Sequence, residues 1–222
     1  NAYMTAAMAD TEALQKALFA EMRGRIKEDD SSVPVKDGPF AYGTAYVTGG
    51  EQPRYFREPR DGGERVVLLD GDREAAGKDY FRLSGIDHST DHSLGIWGYD
   101  DKGSEYFTLK VRDLATGEDR ADEIVNSGGG GVWAPNAKSF FYTALDENHR
   151  PSKIYHHILG ERQENDRLVF EEKDAGFFMS VGGSLLDDFI YIDIHDHETS
   201  EYRLLSTKGL LATPVVVAPR QT

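Results

Sequence analysis

The chain of 222 residues contains no cysteine, which removes disulfides, zinc–thiolate centres and a cysteine nucleophile together. It also lacks any apolar run near the roughly 18 residues needed to cross a bilayer. The opening NAYMTAAMADTEAL has no basic stretch followed by an apolar core, so it does not read as a secretion signal. Basic residues are in short supply: 25 Lys and Arg face 39 Asp and Glu, a formal charge of −14. A field of that sign repels phosphate backbones, excludes nucleic acid as the expected partner and attracts cationic peptides. These absences point to a cytoplasmic protein with no membrane or nucleic-acid partner. With 39% hydrophobic and 29% charged residues, the composition is that of a globular chain able to bury a sizeable core.

Residues 1–27 form one unit. Ala, Met, Leu, Glu, Gln and Lys dominate, and Leu14, Leu18, Met22 and Ile26 recur at every fourth position. This spacing predicts a helix with one apolar stripe that must lie on something. KEDDSSVPVKDGP (27–39) ends it. Beyond it the texture changes to short aromatic and β-branched runs, such as FAYGTAYV, RVVLLD, YFTLKVRDL, SFFYTAL and DDFIYIDI. Turns such as RDGGE, DLATGED and DENHRP separate them, an antiparallel all-β rhythm with no helical spacing after residue 27.

The runs repeat. IDHSTDHSLGIWGYDD (86–101), VWAPNAKSFFYTALDE (132–147) and VGGSLLDDFIYIDIHD (181–196) share one plan, with starts 46 and then 49 residues apart. Each opens on an aliphatic residue, passes a polar turn, enters an aromatic strand and leaves on acidic residues. A partner strand follows each, and GPFAYGTAYVT with PRYFREPRDGGERVVLLD forms a looser, earlier copy. A period of roughly 40–50 residues with four short strands each predicts a partial β-propeller of about four blades. The expected organisation is a helical segment at 1–27 and a propeller portion at 28–222, with blades near 36–80, 81–128, 129–177 and 178–222.

Three stretches invite a chemical reading. Gly182-Gly183-Ser184-Leu185-Leu186 has a leucine where a nucleophile elbow needs its second glycine, and a strand pattern rather than a helix follows. Ser184 is therefore expected to be a turn residue. His195 and His197 have the alternation of metal ligands, yet they fall where the sister repeats end in turns, and no further ligand is evident. His156 and His157 are adjacent and point to opposite faces. NSGGGGVW (126–133) precedes a strand rather than the helix a phosphate loop requires, so it is expected to be a tight crossing between blades with Trp133 as packing. No catalytic, cofactor or metal residue is assigned.

Longer stretches carry a family pattern in order: RIKEDDSSVPVKDGPFAYGTAY, YFREPRDGGERVVLLD, DYFRLSGIDHSTD, GSEYFTLKVRDLATGE, GGGGVWAPNAKSFFYTALDENHRPSKIYHHILG, LVFEEKDAGFFMSVGGS and TSEYRLL. They resemble the propeller region of the oligopeptidase B (protease II) group in the prolyl oligopeptidase family of serine peptidases, from Asn1 to at least Leu205. The resemblance implies a parent enzyme with an α/β-hydrolase domain carrying a Ser-Asp-His triad, capped by a seven-bladed propeller that admits peptides and excludes folded proteins. It implies cleavage after Arg or Lys, an N-terminal segment packed across onto the hydrolase domain, and no cofactor. The chain departs from the pattern by ending after roughly four of seven blades with no counterpart of the hydrolase half. It is expected to be a portion of a longer enzyme, inactive alone and prone to associate with itself or with the missing half. The family also places ion pairs that hold the cap closed on the propeller face opposite the hydrolase domain. Glu105 in KGSEYF and Arg150 in DENHRP are the candidate inter-domain gate contacts. The competing reading is a free-standing propeller that binds a peptide or protein partner, and the apolar-striped N-terminal helix argues against it.

Overall fold

The computed structural model describes residues 1–221. The N-terminal segment is two helices rather than one: α1 (Ala2–Ala7) and α2 (Glu12–Gly24), separated by a 3-10 turn at Ala9–Thr11. Asp10 and Thr11 explain the break, since short polar side chains compete for backbone hydrogen bonds; the Thr11 hydroxyl donates to the Met8 carbonyl at 2.7 Å. The predicted stripe of Leu14, Leu18, Met22 and Ile26 is present but rests on nothing among the described residues, each side chain being about half to two-thirds exposed. The Glu28 carboxylate anchors the end of the segment, accepting from the backbone N–H of Gly49 and pairing with Arg23 at 3.0 Å.

The rest is antiparallel sheet. The first comprises β1 (Val35–Asp37), β2 (Phe40–Ala45), β3 (Arg54–Pro59) and β4 (Val66–Asp70) in sequential order. A five-residue helix, α3 (Gly71–Ala75), follows, capped by the Asp70 side chain, which accepts from the Arg73 N–H. It corrects the expectation of no helix after residue 27; barely more than one turn is too short to leave a spacing in the sequence.

The second sheet has seven strands: β5 (Arg82–His88), β6 (Leu94–Asp100), β7 (Phe107–Asp113), β8 (Asp119–Trp133), β9 (Ser139–Leu145), β10 (Pro151–Ile158) and β11 (Arg167–Glu171). The third holds β12 (Phe178–Gly183), β13 (Phe189–His195), β14 (Ser200–Ser206) and β15 (Val215–Ala218). The seven strands divide at β8. Its first part pairs with β7 from Asp119 to Ser127, and its last residues, Gly131–Trp133, pair with β9. The change of partner coincides with the glycine run. Gly129 takes φ +97°, and a Cβ there would stand 3.0 Å from the Phe107 ring. The run is thus the crossing the sequence suggests, with glycine at 128, 129 and 131 because the neighbouring side chains come too close there for a Cβ.

Strand alternation sends consecutive aromatic residues of β9 to different cores. Phe140 and Tyr142 join Ile96, Leu109, Val111, Ile124 and Trp133 on one side, while Phe141 joins Ile154, Met179, Ile190, Ile192 and Ile194 on the other. The first core lies between the two parts of the seven-stranded sheet, and the second lies between β9, β10 and the third sheet, the stacking that short-period all-β repeats need. Burying each of these large side chains contributes about 1.5–3 kcal/mol. The interface of the first sheet with β5 and the turn after it differs: Tyr42 stacks on His88 at 3.9 Å between ring centroids, and Arg57 donates to the His92 carbonyl at 2.6 Å.

Candidate functional site

The three clear repeats fold into the same hairpin, with the same turn. Ser89, Ala134 and Ser184 donate their N–H to the carbonyls of Leu94, Ser139 and Phe189, at 2.8 to 2.9 Å. The residue three further on, His92, Ala137 or Asp187, takes φ between +53° and +60° in each. Ser184 is thus a repeat position. Its hydroxyl accepts from the Phe189 N–H at 3.0 Å, as the Ser89 hydroxyl accepts from the Leu94 N–H, and alanine serves in the third copy. The serine closes a turn. Of the two histidines downstream, His195 ends β13, with its Nδ1 3.5 Å from Asp193, and His197 lies beyond the strand in the turn that Asp196 organises. The two therefore do not share a strand face.

β5, the second half of β8 and β12 converge on a cavity of about 490 Å³. Its lining includes Asp87 from β5, Gly128 and Gly130–Val132 from β8, Met179–Val181 from β12, and Glu105 and His149 from two turns. The glycines leave the middle open, and the Ser84 hydroxyl donates to the Gly129 carbonyl to hold β5 against β8. Trp133 Nε1 donates to the Asp87 carbonyl at 2.9 Å, fixing the backbone that carries this carboxylate. The Asp87 side chain is open to the cavity yet crowded by protein. Burial raises its pKa, and His88 opposes the rise only in part.

Glu105 and Arg150 occupy equivalent turns, β6–β7 and β9–β10, which lie together. The Tyr106 hydroxyl donates to the Asp146 carbonyl at 2.7 Å, and the Tyr106 and His149 rings approach to 4.3 Å. Glu105 has φ +61°, its N–H donates to Asp100 at 2.7 Å, and its exposed carboxylate stands 3.7 Å from Arg82. Arg150 is drawn inward. It pairs with Asp146 at 3.1 Å and donates to the carbonyls of Glu172, Asp174 and Phe177 at 3.0 to 3.3 Å, tying the turn to the segment before β12.

A fourth group was not legible beforehand. His157 is fully buried on β10, with Nδ1 2.7 Å from Asp166 and Nε2 3.2 Å from Asp122. The Tyr142 hydroxyl donates to Asp166 at 2.8 Å, and the Gly160 N–H donates to Asp122. Burial works against the imidazolium, but its hydrogen bonds to the two carboxylates prevail and raise its pKa. Its neighbour His156 stacks on Phe141 at 4.5 Å; burial, assisted by Arg167, pushes it down to about 4. The pair does face opposite ways, and the two environments push the histidines in opposite directions, His157 toward the charged form and His156 toward the neutral one. The buried quartet has no opening to a substrate and acts as a tie between β8, β10 and the 3-10 turn at Gln163–Asn165.

Comparison with known proteins agrees with this geometry. A dipeptidyl aminopeptidase BI from Pseudoxanthomonas mexicana is 33% identical over 242 residues, covering all of this chain and 33% of that protein. Protease 2 of Moraxella lacunata is 29% identical over 230 residues, again covering the whole chain and 33% of its own length. The structure of oligopeptidase B from Leishmania major matches with a TM-score of 0.92 at 27% identity, over 100% of this chain and 32% of that one. The chain therefore spans about one third of the length of the curated relatives it matches. The family model of the prolyl oligopeptidase N-terminal beta-propeller domain matches residues 1–222, and the chain belongs to that family.

Proposed function

We propose that these residues form part of the cap of a serine peptidase, which admits basic peptides to a hydrolase domain supplied by the same protein and performs no bond chemistry itself. Four blades of a seven-bladed ring correspond to 36–80, 81–128, 129–177 and 178–222, with 1–27 reaching toward the hydrolase domain. The observation that carries the reading is the cavity where β5, β8 and β12 converge. It is lined by glycine backbone and carries two carboxylates, Asp87 and Glu105, on a chain with a charge of −14. Such a passage favours an extended cationic peptide over a folded protein by size and an anionic one by field. The exposed, unburied stripe of α2 supports a second domain, because a free-standing propeller has no use for it.

Glu105 and Arg150 are the proposed gate contacts. Glu105 has an exposed carboxylate, held only by a long ion pair to Arg82 at 3.7 Å, that an opposing charge can reach, while Arg150 acts through the turn it braces. In the full-length protein, Glu105→Lys combined with Arg150→Glu changes the rate and salt dependence of basic-peptide cleavage; unaltered values for both remove the gate. A fluorophosphonate probe tests the division of labour. The full-length protein takes the label, and label on the 24.7 kDa chain alone overturns the reading, with Ser184 the first residue to substitute.

A further inference from the structure

A second cleft, of about 330 Å³, opens between the first sheet and β5. Aromatic residues Tyr42, Tyr55 and Phe56 form one wall, and Ile86, Asp87 and His88 form the other. Asp87 lines this cleft and the larger cavity alike, so it stands between the two. Its carboxylate has no hydrogen bond among the described residues; burial and the proximity of His88 are what act on it. The Tyr55 hydroxyl is in the same condition, its pKa raised by burial and then by the charges of Tyr46 and Asp87. Gly85, at φ +129°, keeps the space before that hydroxyl open, since a Cβ there would stand 3.5 Å from the oxygen.

The neighbouring cation and the neighbouring histidines are already engaged. Arg57 donates to the His92 carbonyl at 2.6 Å and lies over Phe40. His88 lies 3.3 Å from Asp37 and stacks on Tyr42, and His92 shares a hydrogen bond with the Tyr42 hydroxyl at 2.8 Å. What is left is one carboxylate and one hydroxyl without partners beside aromatic rings. An anion is repelled by the carboxylate. An apolar group would leave it desolvated and unpaired. A planar guanidinium satisfies each surface, donating to the carboxylate and the phenol oxygen while lying against an aromatic face.

We propose that this cleft is a side-chain subsite, which takes the guanidinium of an arginine in a peptide passing through the larger cavity. It rests on the reading that basic peptides enter there. Occupancy gives the Asp87 carboxylate the hydrogen-bond partner it lacks and holds the peptide one side chain away from the cavity, so the subsite sets which arginine-containing peptides dwell in the cap.

The test uses full-length protein with its reactive serine blocked. The probe is a short peptide with one arginine beside a diazirine residue, and adducts are mapped by mass spectrometry. Adducts are expected on β2, β3 and β5. Replacing the arginine by citrulline, which keeps the shape and removes the charge, lowers them about tenfold, as loss of a charge-assisted hydrogen bond predicts. Asp87→Asn does the same, and Tyr55→Leu weakens labelling without touching the carboxylate. Labelling equal for citrulline and arginine, or confined to other strands, overturns the subsite. Cleavage of the same peptide by unblocked protein separates the two readings. Cleavage with charge-independent labelling sinks the subsite alone, whereas charge-dependent labelling without cleavage supports the subsite and sinks the peptidase-cap reading.

Discussion

Replacing His157 by glutamine tests whether the buried quartet is held together by charge. The imidazole has no exposed surface and lies between Asp122 and Asp166, whose side chains are 3% and 2% exposed. Glutamine keeps most of the volume and an N–H donor but cannot carry positive charge. The two buried acids then face no counter-charge, with the Gly160 N–H on Asp122 and the Tyr142 hydroxyl on Asp166 as their remaining native donors. Breaking a buried ionic pair by removing one partner costs about 3–5 kcal/mol. For a chain of this size each kcal/mol moves the melting temperature by about 2–4 °C, so a fall of roughly 6–20 °C is expected by calorimetry. The pH dependence gives a sharper check. His157 has a folded-state pKa raised above that of the unfolded chain. Its contribution is therefore complete below the ordinary histidine value near 6.5 and is lost as pH rises through the raised one. The gap between wild type and His157→Gln is largest near pH 6 and narrows on the alkaline side. A gap below about 1 kcal/mol, or one that widens with pH, refutes the charged tie and leaves His157 as a neutral packing residue.

Arg112 offers a second buried test: it lies between Glu74 at 3.0 Å and Asp119 at 2.7 Å and over Trp97, so Arg112→Ala is expected to lower stability by about 3 kcal/mol in denaturant melts. Gly129→Ala meets the Phe107 ring and Ser84 at φ +97° and costs about 1–3 kcal/mol, whereas Gly130→Ala, with nothing within 4 Å, costs no more than a few tenths; similar losses at both sites discard the close-crossing account. At low pH the turn aspartates decide. The pKa of Asp91 is held down first by the Ser89 hydroxyl, that of Asp113 by the N–H groups of Thr116 and Ala115, and that of Asp196 by those of Thr199 and Glu198. Their stabilisation is present above the ordinary carboxylate value near 4 and disappears as pH falls below it, so acid melts of Asp113→Asn are expected to be flatter than those of wild type.

The repeat was legible because each hairpin must solve the same turn with the same hydrogen bonds, and the aromatic strands between must alternate between two cores. That placed the hairpins at 86, 132 and 181 and removed Ser184 from the nucleophiles. The glycine run was legible for the same reason, since a crossing that excludes side chains writes itself in glycine. What escaped detection is non-local. Asp122, His157 and Asp166 are separated by loops of different length, and nothing in the order of residues announces that an acid on β8 meets a histidine on β10. The break at Asp10 and Thr11 was visible in principle, but the four-residue apolar spacing starts only at Leu14 and said nothing about the residues before it. Asp87 carries no local signal either; only the meeting of two cavities singles it out.

β8 has a mechanical consequence. A single fifteen-residue strand serves as the last partner of one group of strands and the first of the next, so neither group can detach without severing a continuous backbone ladder. The first and third sheets are joined to this block only through loops and side chains. Native-state hydrogen exchange should thus divide the chain into three units rather than four, with β5 to β11 opening together at one high free energy and the flanking sheets exchanging independently below it. On the proposed reading, strain that a peptide puts on the cavity wall is shared by seven strands at once, which makes the middle sheet the stiff member and the flanking sheets the compliant ones.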